Sequence, residues 1–382
     1  MAECSPDAYT DPLCPGNIKN LWLDVVVVVD RSQLMTNSQL WQVRNTISQV
    51  FGAVDQIGPV KYPQDPRSTC VGVVTYDSNA TVAAQMDASK SFSDLYNVIQ
   101  GSLVAVDSTN ISYLSQGLLA AEKVLQDGLS RTYRYNYKRV VIAFASAYQG
   151  SGTINDVLPV AKRLKNNGVT IISVACTTDS EAREALSTVA SPGYALVDEM
   201  NTAKLVQQLT NALLSVNCFC PSDWVQLGGS NTSSPNFAVC VQGFKSTGGN
   251  WGFEYAVEYC QGAETNAYLA NEFSQQKHDF LHTYMLNKFP AYDPLEYYIG
   301  LSYWGNQWYW EQPYKQESLP FNPNGYSAWA PGYPKANSTG QTIANQPVGT
   351  TFAWAEPQTF DWLFVCQVQA SSTEYYTTYS VM

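Results

Sequence analysis

Histidine is nearly missing from this chain: His278 and His282 are the only two among 382 residues. Most imidazole chemistry is therefore unavailable. A Ser-His-Asp triad would have to use one of these two. They stand four apart in His-Asp-Phe-Leu-His, a spacing that can hold zinc on one helical face when a third ligand is present. No third ligand accompanies them, and Phe280 and Leu281 suit a structural helix. A Gly-x-Ser-x-Gly elbow and a glycine-rich phosphate loop are also absent. The chain reads as non-enzymatic.

Charge is scarce as well. Only 14% of residues are charged, and the net charge is −11. An acidic chain repels phosphate backbones and anionic lipid heads, which excludes nucleic acid and membrane surfaces as partners. The basic-aromatic stretch Arg131–Arg139 is read in that light as an exposed helix-to-strand loop. No apolar run is long enough to cross a bilayer; Val25–Val29 stops at a charge and suits a buried strand. Met1–Thr10 has no apolar core of a secretory leader, so a trimmed or incomplete leader is expected.

What is present is aromatic and sulfur-rich. Aromatics make up 13% of the chain, against disorder. Residues 218–382 hold eight of the ten Trp, five Lys, no Arg and thirteen Asp or Glu. That shift in composition marks two domains. Nine Cys and four N-glycosylation sequons, at Asn79, Asn110, Asn231 and Asn337, point to an oxidising, secreted setting.

Residues 1–17 read as an irregular leader. Strands and helices then alternate. Strands are expected at Leu21–Asp30, Cys70–Tyr76, Ala80–Met86, Arg139–Ala145, Val169–Ala175 and Tyr194–Val197. Helices are expected at Ser38–Val54, around Phe92–Ile99 and Leu114–Leu125, and at Val157–Asn167, Glu181–Val189 and Thr202–Val216. Alternation with buried-type strands predicts an α/β doubly wound sheet over residues 18–217. In the second half, helices are expected at Trp251–Gln261 and Asn271–Lys288. Short strands are expected at Tyr297–Tyr303, Trp308–Glu311 and Trp362–Gln369, with a long Pro, Gly, Asn and Ser-rich loop from Pro313 to Thr351. The tail 371–382 is expected to fray.

The first strand ends Asp30-Arg-Ser32, and Ser112 to Leu118 makes a loop-to-helix step. Residues 18–217 thus resemble a von Willebrand factor A domain. The resemblance implies a divalent-cation site of Asp-x-Ser-x-Ser, a Thr and a second Asp. Asp30 and Ser32 match, and Ser112 keeps the hydroxyl of the Thr. Leu34 and Ser146 stand where the second Ser and second Asp belong. One carboxylate with neutral hydroxyls holds Mg²⁺ or Ca²⁺ weakly, so no cofactor is expected.

Cys220, Cys240, Cys260 and Cys366 frame Tyr298-Ile-Gly-Leu301 and Trp308-Tyr-Trp310. Cys220 opens Cys-Pro-Ser-Asp-Trp, and Trp251 and Ala256 precede Cys260. Residues 218–370 thus resemble the long form of the α+β C-type lectin-like domain. The family's calcium and sugar ligands are largely missing. Pro334 matches the family proline but is flanked by Tyr333 and Lys335. Gln346-Pro-Val348 lies too near Trp354, and Trp354-Ala-Glu356 offers Glu356 alone. Sugar binding without metal would rest on aromatic faces, with Trp304, Trp308, Trp329, Tyr333 and Trp354 as candidates. Trp329 and Tyr333 are the ones expected to be exposed.

The resemblance implies disulfides Cys220–Cys240 and Cys260–Cys366. Cys218, at the end of the A-like half, is expected to pair with Cys14 or else Cys4. Cys70 and Cys176 are read as buried free thiols. Such domain pairings resemble secreted invertebrate, especially nematode, proteins assigned to defence or surface binding. The expected function is calcium-independent recognition of a glycan or protein surface, with a role in innate defence. The alternative is an adhesive or structural extracellular protein acting through the A-like domain.

Overall fold

The computed structural model describes residues 6–14, 16–59, 67–132, 134–228, 236–246, 252–335, 341–349, 351–358 and 363–376. Cys4, Asn231, Trp251, Asn337 and Trp362 lie outside them. The chain forms two compact units. One takes in residues 15–217; the other combines the segment up to Cys14 with the chain from Cys218 onward.

The first unit is an α/β doubly wound sheet. Its strands are β1 (Asp24–Asp30), β2 (Cys70–Tyr76), β3 (Ala80–Ala84), β4 (Arg139–Ala145), β5 (Val169–Ala175) and β6 (Ala195–Val197). They lie in the order β3-β2-β1-β4-β5-β6. All neighbours are parallel except β3 on β2. The helices are α1 (Asn37–Gly52), α2 (Phe92–Ser102), α3 (Leu114–Thr132), α4 (Val157–Asn166), α5 (Ser180–Val189) and α6 (Thr202–Val216). The valine run of β1 explains the two-sided burial. Val25, Val27 and Val29 enter one core with α1, α2 and α6, while Val26 and Val28 enter the other with α3, α4 and α5. A strand with apolar residues on both faces must sit in the middle of such a sheet.

Local signals fix the helix ends. Thr36 and Gln39 form a reciprocal capping box at the start of α1. Beyond α4, Gly168 takes φ +75°, a left-handed turn that glycine adopts without strain. Gly117 lets α3 approach the sheet: a Cβ there would lie 2.6 Å from Val28 Cγ1. The ends of the unit meet where Trp22 N–H donates to Asn217 Oδ1 at 2.8 Å.

One expectation fails in this unit. Arg134, in the stretch read as an exposed loop, is buried. Its guanidinium donates to Asp24 at 2.7 Å, Ser68 Oγ at 2.8 Å and Ser68 O at 2.6 Å, and lies 3.5 Å from the Tyr137 ring centroid. Tyr135 next to it is exposed. A buried partner such as Asp24 is what draws an arginine inward, and composition carries no sign of it.

The second unit is built on β7 (Val225–Gln226), β8 (Val239–Lys245), β9 (Tyr268–Leu269), β10 (Tyr297–Trp304), β11 (Gln307–Trp310), β12 (Leu319–Pro320), β13 (Gln341–Val348), β14 (Thr351–Ala355) and β15 (Leu363–Gln369). Its helices are α7 (Phe253–Ala263) and α8 (Gln275–Lys288). The main path runs β12-β11-β10-β15-β8-β7, with the β13–β14 hairpin attached to β10. Strand β13 corrects the long-loop expectation, because eight residues of that stretch are a paired strand. Its residues Asn345 and Gln346 are buried polar groups rather than apolar ones, so no strand pattern shows. The core gathers Leu281, Met285, Tyr297, Ile299, Trp310 and Trp354.

The N-terminal segment is part of this unit rather than an irregular leader. Leu13 pairs with Phe237, and Tyr9 donates to the Pro320 carbonyl at 2.8 Å. Asp11 accepts at 2.6 Å from Lys277, whose ammonium is fully buried and also bonds Asn271 and Gln367. The tail also holds longer than expected. Ser371 exchanges backbone hydrogen bonds with Phe219, and Ser371–Thr373 are buried. Disulfides join Cys14–Cys218, Cys220–Cys240 and Cys260–Cys366, and Cys70 and Cys176 are buried free thiols. No helix among the described residues is long and apolar enough to cross a membrane.

Candidate functional site

Asp30 ends β1 at the carboxyl edge of the sheet, the end where open α/β sheets place their sites. Three loops converge on its carboxylate. Oδ1 accepts the Ser32 N–H at 2.8 Å; Oδ2 accepts the Ser112 hydroxyl at 2.7 Å and both the hydroxyl and the N–H of Ser146. Gln149 orients Ser112 by accepting its N–H at 2.9 Å. Asp30, Ser32 and Ser112 are fully buried. The structure thus brings the three sequence-predicted residues together, and Ser146 joins them.

That donor set does not fit a tightly held divalent cation. It has one carboxylate, and both Ser112 and Ser146 spend their hydroxyl hydrogens on it. A hard cation needs several oxygen ligands free at once. Leu34, at the second serine position, is 40% exposed and holds no donor, and Ile111 and Ile154 on neighbouring loops are 41% and 98% exposed. Burial, and then the Asp30 charge, push the Tyr76 phenol well up, which keeps it protonated beside Ser112. Among the described residues no three His, Cys, Asp or Glu side chains form a metal-holding group.

The second unit's candidates separate. Trp329 is half-buried, with its ring 5.0 Å from Trp308, 5.9 Å from Phe321 and 5.4 Å from Trp354. It is a packing residue, contrary to the expectation of an exposed platform. Tyr333 is also half-buried, under Lys335 at 4.6 Å. Lys335 bonds Glu356 at 2.6 Å and holds that carboxyl below the usual carboxylate range. Gln341 bonds Glu356 as well, and Gln346 donates to its backbone oxygen at 2.7 Å. Glu356 is therefore occupied by a cation of the chain's own. Trp308 and Trp354 are buried. Trp304 alone of the five is exposed, at 51%, and it stacks on Tyr309 at 4.2 Å and 20° at the tip of the β10–β11 hairpin.

A buried network went unseen in the sequence. Glu272, fully buried, accepts from His278 Nδ1 at 2.6 Å and Trp354 Nε1 at 2.6 Å, and from Asn345. The other His278 nitrogen faces the Phe352 carbonyl at 3.2 Å. Both ring nitrogens meet acceptors, the arrangement of an imidazolium. Burial opposes that charge, but Glu272 outweighs it and the His278 pKa is raised. His282 stacks on Phe352 at 4.0 Å and 14° instead of sharing a site with His278. Glu272 carries no motif; only its contacts reveal it.

Residues 24–212 match the von Willebrand factor type A domain, and the first unit is such a domain. C-type lectin domain-containing protein 160 of Caenorhabditis elegans is 25% identical over 334 residues, covering 84% of this chain and 48% of that protein. The chain thus spans about half the length of that relative. Among solved structures, the chain is similar to proximal thread matrix protein 1 from the mussel byssus, with a zinc-occupied MIDAS motif, at 18% identity and TM-score 0.41, covering 52% of this chain and 47% of that one. The SpRpn10 VWA domain is similar at 16% identity and TM-score 0.36, covering 49% and 95%.

Proposed function

We propose that this is a secreted adhesive or matrix protein whose A-like domain makes its contacts without a metal ion. It is non-enzymatic, since its only two histidines are taken up by Glu272 and by the Phe352 ring. The single observation that carries the reading is the saturated Asp30 carboxylate. A cation-bridged contact needs an open oxygen cage, and here four hydrogen-bond donors fill it. Contacts then rest on direct side-chain complementarity. Solid-phase binding of the full chain to extracellular-matrix proteins tests this, with Mg²⁺ and with EDTA. Equal retention in both is expected; binding abolished by EDTA would sink the reading.

A second reading is glycan recognition by the second unit, taken as a C-type lectin-like domain on the pattern of its cysteines and on the likeness to the nematode protein. The exposed Trp304–Tyr309 pair favours it, because a sugar ring stacks on such a face without calcium. A glycan array on wild type and Trp304→Ala separates the two: signal lost in the variant supports this reading, and no signal from wild type removes it. A role in innate defence would follow only from such binding to microbial glycans.

A further inference from the structure

We propose that Asn79 and Asn110 carry N-linked oligosaccharides that roof the Asp30 end of the sheet, and that Asn110 must be modified before the domain closes. The proposal rests on the secreted reading above and adds where contacts cannot lie.

Both acceptors sit on the same end of the fold. Asn79 stands in the turn after β2, and the Ala80 and Thr81 of its sequon begin β3; Tyr76, the last residue of β2, accepts the Arg31 N–H on its backbone oxygen at 2.7 Å beside the end of β1. Asn110-Ile-Ser112 lies just before α3; Thr109 accepts the Gln33 N–H at 2.7 Å, and Gln149 reaches the Asn110 carbonyl at 3.3 Å. The two segments touch, with Tyr113 N–H donating to Asp77 O at 2.8 Å. Asn79 and Asn110 are both exposed. The Asn79 amide makes one long bond, 3.3 Å to Ser78 Oγ, and the Asn110 amide has no partner among the described residues. Around them stand the exposed aliphatics Leu34, Ile111 and Ile154. A bulky, solubilising sugar covers such a rim.

Ser112 fixes the order of events. It is the hydroxyl residue that completes the Asn110 sequon, and it is also the donor to Asp30. In the folded domain it is 0% exposed. An enzyme that must engage this hydroxyl finds it only on the open chain. In the transfer, the Asn110 amide nitrogen attacks the anomeric carbon of a lipid-diphosphate-linked oligosaccharide. A C–N bond forms, the C–O bond to the diphosphate breaks and leaves with its electron pair, and the amide proton passes to base. Once folding has placed Ser112 against Asp30, the site is closed to this reaction.

The test uses the full chain secreted from a eukaryotic host. Enzymatic glycan release that converts the acceptor Asn to Asp, read by mass spectrometry, is expected to mark residues 79 and 110. Asn110→Gln loses that glycan and keeps the Asp30 contacts, Ser112→Thr keeps both, and Ser112→Ala loses both. Unglycosylated chain offered transferase and lipid-linked donor is expected to accept sugar at Asn110 at least tenfold faster when unfolded than when folded. The Asn79→Gln, Asn110→Gln double variant is expected to bind a hydrophobic dye at least twofold more. A secreted, disulfide-bonded chain bare at Asn110 overturns the proposal, as do equal transfer rates or unchanged dye binding. A chain retained without its three disulfides overturns the secreted reading itself.

Discussion

At Asp30 a single carboxylate is surrounded by groups that an ion would have to displace. Removing one of them has a defined cost. Ser146→Ala leaves Asp30 buried with fewer donors and is expected to destabilise the first unit by about 1–3 kcal/mol in urea unfolding. Restoring oxygen ligands should reverse the chemistry. The Leu34→Ser, Ser146→Asp double variant is expected to gain stability when Mn²⁺ is added, whereas wild type shows no shift in the same melt. The two free thiols among the described residues, Cys70 and Cys176, report on the same unit. Burial pushes Cys70 up to about 12 and raises Cys176 as well. Iodoacetamide at pH 8 is therefore expected to leave both untouched in the native protein and to label both in denaturant, as peptide mapping will show. His278 gives a pH signature of the opposite sign to that of a paired carboxylate. Its pKa is raised on folding, so its contribution is complete at pH below the ordinary histidine value and is lost as pH rises through the raised value. Stability of the second unit, followed by tryptophan fluorescence, should fall across that window, and His278→Gln should flatten the profile.

Among the elements, the N-terminal segment is the one whose role changed most. The Lys277 side chain is fully buried, and Asp11 supplies its counter-charge. Asp11→Ala leaves that ammonium buried with only amide partners, and a loss of about 3–5 kcal/mol is expected in the denaturation of the full chain. The sequence could not show this, because an Asp and a Lys 266 positions apart look like two surface residues. The elements it did show share one property. Strands β1, β2, β4 and β5 are apolar on both faces, so their burial is written in each residue. Strand β13 is not: Asn345 is buried with its amide nitrogen on Glu272 and Tyr297, which lie far off in the chain, and Gln346 donates to the backbone oxygen of Glu356 on the other side of the β13–β14 hairpin. The same distinction divides the candidate sites. Asp30, Ser32 and Ser112 were legible because a strand end and a helix start are local signals. Trp329 misled because loop composition says nothing of the three rings packed around it.

For the whole molecule, the cross-links are distributed unevenly. All three disulfides among the described residues belong to the unit that holds the N-terminal segment and the chain from Cys218 onward. The A-like unit has no disulfide among the described residues, and its Cys70 and Cys176 are free. Cys260–Cys366 spans 106 positions and in the chain-entropy picture contributes about 4–5 kcal/mol. Calorimetry is expected to show two transitions, with dithiothreitol lowering one and leaving the other in place. A single transition, or equal loss in both, would contradict this division.

The bond between Cys14 and Cys218 has a mechanical meaning. It bridges the two points where the chain enters and leaves the A-like unit, so tension applied between the termini runs through sulfur and bypasses the 203 residues between them. In a protein that is pulled, that unit rides as an unloaded side loop and stays folded while the rest of the chain bears the force.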